Sequence, residues 1–188
     1  MATGGAMGGP VWARWCFAAL LAVICVSCVV RLTAARAHRP SPASDDLGQA
    51  LMGLGMIAMF ASVSGALPKT VLVVVFGASA AGFAGLLARG VPCGERETWE
   101  CVHHVVASVA MVYMALAATG PRMAVPSLAG AFGVYFLAYA GWAGLRMAGA
   151  PQMAVGTGVA GVLRRPRVVE ACRAGMGLSM AYLLLGAM

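Results

Sequence analysis

Residues 98–119 read TWECVHHVVASVAMVYMALAAT, and this run predicts a helix that crosses a membrane. Beyond Glu100 it contains no Asp, Glu, Lys or Arg, and about 20 mainly apolar residues are long enough to span the hydrocarbon layer of a bilayer. Two histidines, His103 and His104, lie near its start, where an interfacial position would cost little. Because similar runs recur along the 188 residues, this stretch indicates the character of the whole fold.

The composition agrees with a membrane protein. Hydrophobic residues make up 61% of the chain and charged residues only 10%, too few to cover the surface of a soluble domain of this size. An ordinary globular enzyme and a disordered chain are therefore excluded. Six stretches are apolar and long enough to span, at about residues 15–32, 47–67, 70–88, 102–119, 125–145 and 168–188. Without strand periodicity, they predict an all-α polytopic membrane helix bundle of six transmembrane helices, in a single integral membrane domain over residues 1–188.

The basic residues are distributed unequally between the two sides of these spans. Of the 13 Lys and Arg residues, nine fall in the loops between spans 1 and 2, 3 and 4, and 5 and 6, and three fall on the opposite side. Under the positive-inside rule, these loops lie in the cytoplasm, which predicts a plasma-membrane protein with both termini outside. The net charge of +7 thus encodes orientation and does not indicate nucleic-acid binding.

Two segments allow a second interpretation. The first span follows Arg14, and Ala35-Arg36-Ala37 resembles a signal-peptide cleavage site. Cleavage would reverse the orientation of the remaining loops, which the charge distribution opposes, so we expect an uncleaved first helix. The apolar residues 151–163 are too few to span, and we expect an interfacial or re-entrant segment there, or else a loop.

Three of the spans share an ungapped pattern centred on methionine. Met56, Met111 and Met180 align, and an acidic residue stands at or just before the start of each of these helices. This spacing indicates three repeated helical hairpins in which the second, fourth and sixth helices lie inside. At about 100° per residue, the soft donors of each helix fall on one face. These faces hold His103, His104, Met111 and Met114; Met52, Met56 and Met59; and Cys172, Met176 and Met180.

The donor types on these faces point to a metal. Imidazole, thioether and thiolate groups are the ligands that suit monovalent copper. If the faces converge, they form a site that binds or conducts a soft metal ion such as copper(I). Its ligands would be His103, His104 and Cys172 at the entrance and, deeper in the membrane, Met52, Met56, Met111, Met114, Met176 and Met180. The sequence contains no Walker loop, H-E-x-x-H or nucleophile elbow, so we expect no enzyme.

Two other functions fit the same residues. Methionine is an adaptable packing residue, so the faces would equally serve a non-enzymatic membrane protein with a structural or assembly role. A haem-binding membrane redox protein would use the histidines. However, the adjacent His103 and His104 point about 100° apart and suit one haem poorly.

The cysteines away from these faces are expected to be structural. Cys25 and Cys28 lie in an apolar helix without a polar residue nearby, which is typical of small packing residues. Cys93 and Cys101 flank a loop assigned to the cytoplasm, where a stable disulfide is not expected.

Arginine and glycine add two further expectations. Arg173 lies one turn inside the last helix, and we expect it to snorkel to the headgroups or to pair with Glu170 or Glu100. Gly77 and Gly144 each precede an alanine by four residues, a spacing that lets two helices approach closely.

These motifs resemble those of a family of small actinobacterial integral membrane proteins of unknown function. The resemblance rests on the Met-rich second helix, on His103-His104 and on Cys172-Arg173 with Met176 and Met180. It implies six helices with Met-rich even members, and it implies no activity. Similar proteins carry a histidine near the start of the second helix, where this sequence has Gly48-Gln49, and this departure weakens a three-helix metal site.

Overall fold

A computed structural model describes residues 11–36, 43–61, 69–90, 98–117, 125–149, 158–163 and 165–186. Within these ranges the chain is all-α, as the sequence predicts, with seven helices and no strand. They are α1 (Val11–Arg36), α2 (Ala43–Ala61), α3 (Lys69–Ala88), α4 (Thr98–Ala117), α5 (Pro126–Gly149), α6 (Gly158–Leu163) and α7 (Pro166–Leu185). Proline opens both α5 and α7, where its missing amide hydrogen would have no helical partner.

Five of the helices are long and apolar enough to cross a membrane. Their candidate spans are Trp15–Thr33, Thr70–Ala88, Trp99–Ala117, Pro126–Gly149 and Pro166–Leu185. α2 contributes a shorter apolar segment, Leu47–Met59, and the end of the predicted second span lies outside the described residues. The sixth span therefore stays a prediction. α6 forms the end of the apolar stretch 151–163, and its six residues are too few to span.

The chain divides into two compact units, and the single domain over residues 1–188 stays a prediction. Unit 1 comprises Met1–Ser27 and Val125–Met188. At its centre α5 and α7 pack antiparallel, because Gly133 lies beside Leu185 whereas Gly177 lies beside Ala140. A Cβ on Gly177 would stand 3.1 Å from the carbonyl oxygen of Phe136, so the two helices approach closely there.

The first part of α1 also packs against α7 within unit 1. The rings of Phe17 and Tyr182 stack with their centroids 4.6 Å apart. Two turns earlier on α7, Gly175 lies beside the side chains of Ile24 and Leu20. Aromatic stacking at one level and aliphatic packing at the next thus hold this part of α1 on α7.

Unit 2 comprises Cys28–Ala124 and contains the end of α1 together with α2, α3 and α4. α4 packs against both α3 and α2. A Cβ on Gly48 of α2 would lie 2.9 Å from Cε1 of His104, and one on Gly55 would lie 2.7 Å from Cε of Met111. Both pairs advance by seven residues in the same direction, so α2 and α4 run parallel with a register fixed at two levels.

Burial differs sharply among the helices. About half of the α4 and α7 spans is buried, 44% for α4 and 56% for α7, compared with 6% for α3. Within the described part of the chain, the prediction of close approach at Gly77 and Gly144 is wrong, because an added Cβ would meet nothing within 4 Å at either position. The threefold hairpin repeat stays a prediction.

Candidate functional site

His104 is a buried imidazole in unit 2. It is 2% exposed, although it lies only two turns inside α4. One face of its imidazole stacks on Phe83 of α3, with centroids 4.7 Å apart and planes inclined by 19°. Its Nδ1 would stand 3.1 Å from a Cβ on Gly48, so the ring also lies against the backbone of α2. Two neighbouring helices therefore cover the ring, and an interfacial depth for His104 stays a prediction.

His103 has a different environment. It is half-buried, and its ring centroid lies 6.0 Å from that of His104, with the planes inclined by 57°. The two imidazoles therefore do not present one shared face, which is the divergence expected of adjacent positions on a helix.

The thioethers of α2 and α4 are buried within unit 2. Met111 lies at the contact between the helices, where its methyl group and the ring of Phe76 fill the space above Gly55. The other predicted thioether ligands of these two helices are also buried: Met52, Met56 and Met114. Unit 2 thus holds the His104 imidazole and four of the predicted thioether ligands.

The third donor face belongs to unit 1. Cys172, Met176 and Met180 are buried on α7, and Cys172 is a free thiol. Among the described residues, no group of three or more His, Cys, Asp or Glu side chains is placed to hold a metal ion. The convergence of all three faces on one ion stays a prediction.

Cys28 is a polar-contact residue that the sequence interpretation missed. Its Sγ accepts a hydrogen bond from Nη2 of Arg31 at 3.2 Å and lies 3.7 Å from Oε1 of Gln49, to which it donates. The same Arg31 nitrogen reaches Gln49 Oε1 at 3.4 Å. The prediction that Cys28 has no polar partner is wrong, because all three side chains are buried together. The spacing of Cys28 and Arg31, three residues on one helix, was the available signal.

Cys101 also differs from expectation. It is buried at the start of α4 and is disulfide-bonded. The prediction of no stable disulfide at this loop is therefore wrong. Disulfides persist in oxidising compartments, so this bond is evidence about which side of the membrane the start of α4 faces.

Unit 1 contains a buried carboxylate between two guanidinium groups. Nη1 of Arg173 lies 3.3 Å from Oε1 of Glu170, and Nε of Arg146 lies 3.7 Å from the same oxygen. The Arg173 side chain is only 10% exposed, and its contact with Glu170 confirms one of the partners expected for it. Arg146, which the sequence analysis counted only as a loop charge, lies over the ring of Trp142, 4.5 Å from its centroid.

Five apolar helices of spanning length, with polar side chains buried in each unit, define a multi-pass helical membrane protein. The chain belongs to the family described as Domain of unknown function (DUF5134), which matches residues 41–187. The match covers α2 to α7 and begins after α1. The expected resemblance to a family of unknown function is confirmed to that extent. No curated protein and no solved structure matches the chain.

Proposed function

We propose that this membrane protein binds a monovalent soft metal ion, copper(I) in particular, within unit 2. The ligands are the imidazole of His104 and the thioethers of α2 and α4. The observation that carries the proposal is the burial of His104 against α2, on the parallel helix pair that also encloses Met111. An ionisable side chain enclosed in a membrane helix is costly and is commonly functional.

The helix geometry places further donors next to these two. Met52 follows Gly48 by one turn of α2, and Met56 directly follows Gly55. Both glycines face α4, so the methionines flank the line of contact between the helices. Imidazole and thioether ligands are neutral, and their burial avoids the desolvation cost of a carboxylate. This donor set matches the preference of copper(I) and would bind hard divalent ions poorly.

One observation favours the alternative of a packing role. The methyl group of Met111 occupies the space that a side chain on Gly55 would take, beside the ring of Phe76. A flexible thioether that fills such a gap stabilises the interface without any metal. On this alternative the protein is a non-enzymatic structural or assembly component of the membrane. The haem hypothesis gains no support from unit 2, because both of its described histidines lie on α4.

Copper(I) titration of the purified full chain separates the two functions. With a chromogenic chelator as competitor under anaerobic conditions, we expect about one tightly held ion per chain. Replacing Met111 with Leu or His104 with Phe should weaken binding by about 10–100-fold, since each removes a ligand. Met147→Leu is the matched control, because Met147 is an exposed methionine of α5. Wild-type protein that takes up no copper(I), or Met111→Leu protein that binds as tightly as wild type, would exclude the proposal.

Cys172 tests the wider, three-helix form of the site. Cys172→Ala removes the only thiol among the predicted ligands, which lies on α7 of unit 1. If the site lies within unit 2, this variant keeps the copper affinity of the wild type. A loss comparable to that of the His104 variant would instead extend the site to the third face, with Met176 and Met180.

We further propose the plasma membrane as the location, with both termini outside. The excess of basic residues in three alternate loops supports this orientation. The Cys101 disulfide favours the reverse, with the start of α4 on the oxidising side and the C-terminus in the cytoplasm. A C-terminal alkaline phosphatase fusion is expected to be active and a C-terminal green fluorescent protein fusion dark. The opposite pair of results would show that the disulfide reports the orientation.

A further inference from the structure

The ends of α5 and α7 that meet in unit 1 carry a concentration of positive charge. Arg146 lies in the last turn of α5, and Arg173 lies in the second turn of α7 beside Glu170. Arg165 and Arg167 stand at the start of α7. We call these four arginines the basic end of unit 1. Glu170 is the only Asp or Glu in the sequence of unit 1, so the basic end carries an excess of positive charge within this unit.

The members of the basic end differ in burial. Arg173 and Glu170 form a largely buried ion pair, with side chains 10% and 6% exposed. The Arg146 side chain is 33% exposed, Arg165 is exposed and Arg167 is half-buried. Arg146 and Arg165 therefore carry the charge that a ligand from solution or from the headgroup layer can reach.

Among the described residues, the contacts of Arg146 leave its terminal nitrogens available. Its contact with Glu170 is made through Nε, at 3.7 Å, and its guanidinium plane rests over Trp142. The planar fork of a guanidinium that is fixed in this way is suited to bidentate binding of a phosphate. Trp142 is 38% exposed, and tryptophan is enriched at the depth of the lipid headgroups.

We propose that the basic end of unit 1 is a binding site for the headgroup phosphate of an anionic phospholipid. Arg146 provides the bidentate contact over Trp142, and Arg165 and Arg167 add long-range attraction. Glu170 competes for the Arg146 guanidinium and limits the affinity. Clusters of arginine next to a membrane span attract anionic lipids in this way. The site lies in unit 1 and does not depend on the proposed copper site of unit 2.

The test is a comparison of lipid binding by native mass spectrometry of the purified full chain. Phosphatidylglycerol should be retained in preference to phosphatidylcholine. Each outer arginine should raise the affinity for phosphatidylglycerol about fivefold. Arg146→Gln should therefore lower phosphatidylglycerol binding about fivefold, whereas Glu170→Gln should raise it, because the competing charge is removed. Arg146→Lys separates charge from geometry, since it keeps the charge and loses the bidentate fork. The control is Arg89→Gln, at an exposed arginine of unit 2, which should bind as the wild type does.

Three results would overturn the proposal. These are equal retention of the two lipids, unchanged binding by Arg146→Gln, or full displacement of phosphatidylglycerol by inorganic phosphate. The last result would assign the site to a soluble anion and not to a lipid. If the Glu170 variant fails to fold, the Arg146→Gln and Arg146→Lys pair still decides the question. Neither Arg146→Gln nor Arg146→Lys replaces a residue of the buried Arg173–Glu170 contact.

Discussion

Gly48→Ala is expected to destabilise unit 2 and to disturb His104. The added Cβ would stand 2.9 Å from Cε1 of His104, 3.1 Å from its Nδ1 and 3.0 Å from Cζ of Phe83. Ordinary carbon contacts are about 3.5–4.0 Å, so the overlap is roughly half an ångström or more. The imidazole cannot retreat toward Phe83, because the two rings are already stacked. Overpacking of this kind costs about 1–3 kcal/mol.

The matched control is Gly77→Ala on α3, where an added Cβ meets nothing within 4 Å. In an exposed helix this change should raise stability by about 0.4–1 kcal/mol, chiefly through the unfolded chain. Because the same unfolded-chain gain applies to both substitutions, the two variants should differ by about 1–3 kcal/mol in the free energy of unfolding. The measurement is denaturant-induced unfolding of the detergent-solubilised chain. Copper(I) affinity, measured in parallel, should fall only for Gly48→Ala.

A double-mutant cycle sharpens this prediction. Phe83→Leu shortens one of the two side chains that the new Cβ meets, so it should recover part of the loss caused by Gly48→Ala. The expected coupling energy is about 0.5–3 kcal/mol, as for residues in direct contact. If Gly48→Ala is as stable as Gly77→Ala, then Gly48 does not face α4 at His104, and the parallel register of α2 and α4 is refuted. If Gly48→Ala and Phe83→Leu are additive, then Gly48 does not contact Phe83 of α3.

Three further predictions concern unit 1 and the disulfide. Gly177→Ala should lower the free energy of unfolding by about 1–3 kcal/mol because its Cβ would meet a backbone oxygen at 3.1 Å, whereas Gly141→Ala, with open space around it, should not. Glu170→Ala should lower the free energy of unfolding by about 3–5 kcal/mol, because it leaves the buried guanidinium of Arg173 uncompensated. A loss below about 1 kcal/mol would show that the pair contributes no more than a surface ion pair. Cys101 should react with a maleimide in the unfolded chain only after reduction, and labelling without a reductant would contradict its disulfide.

The sequence was sufficient to predict the helical class and most of the spans. Long apolar runs bounded by Arg and Pro are an intrinsic property of the chain, so their prediction needs no tertiary information. It also predicted that the methionines of α2, α4 and α7 are buried, because apolar residues at helical spacing mark an inward face. Packing and ligation share this pattern, so the periodicity could not distinguish between them.

Contacts between distant parts of the chain were harder to predict. The role of Cys28 depends on Gln49, 21 residues later, and only the nearby Arg31 could have signalled it. Arg146 is likewise placed by Glu170 and Trp142, on two antiparallel helices. The spacing of small residues singled out Gly77 and Gly144, whereas close approach occurs at glycines opposite large side chains. A spacing rule identifies surfaces that allow close approach, but it does not identify the partner.

The observed register of α2 and α4 decides which experiment can separate packing from metal binding. The internal methionine pattern aligns Met56 of α2 with Met111 of α4. In the structure, Met111 lies over Gly55, the residue before Met56. Leucine has nearly the volume of methionine, and such a swap in a well-packed core usually costs less than about 1.5 kcal/mol. Met111→Leu should therefore remain folded on either hypothesis, because the space above Gly55 stays filled. Only the metal hypothesis requires the sulfur atom, so a folded Met111→Leu protein that has lost copper(I) cannot be explained by packing.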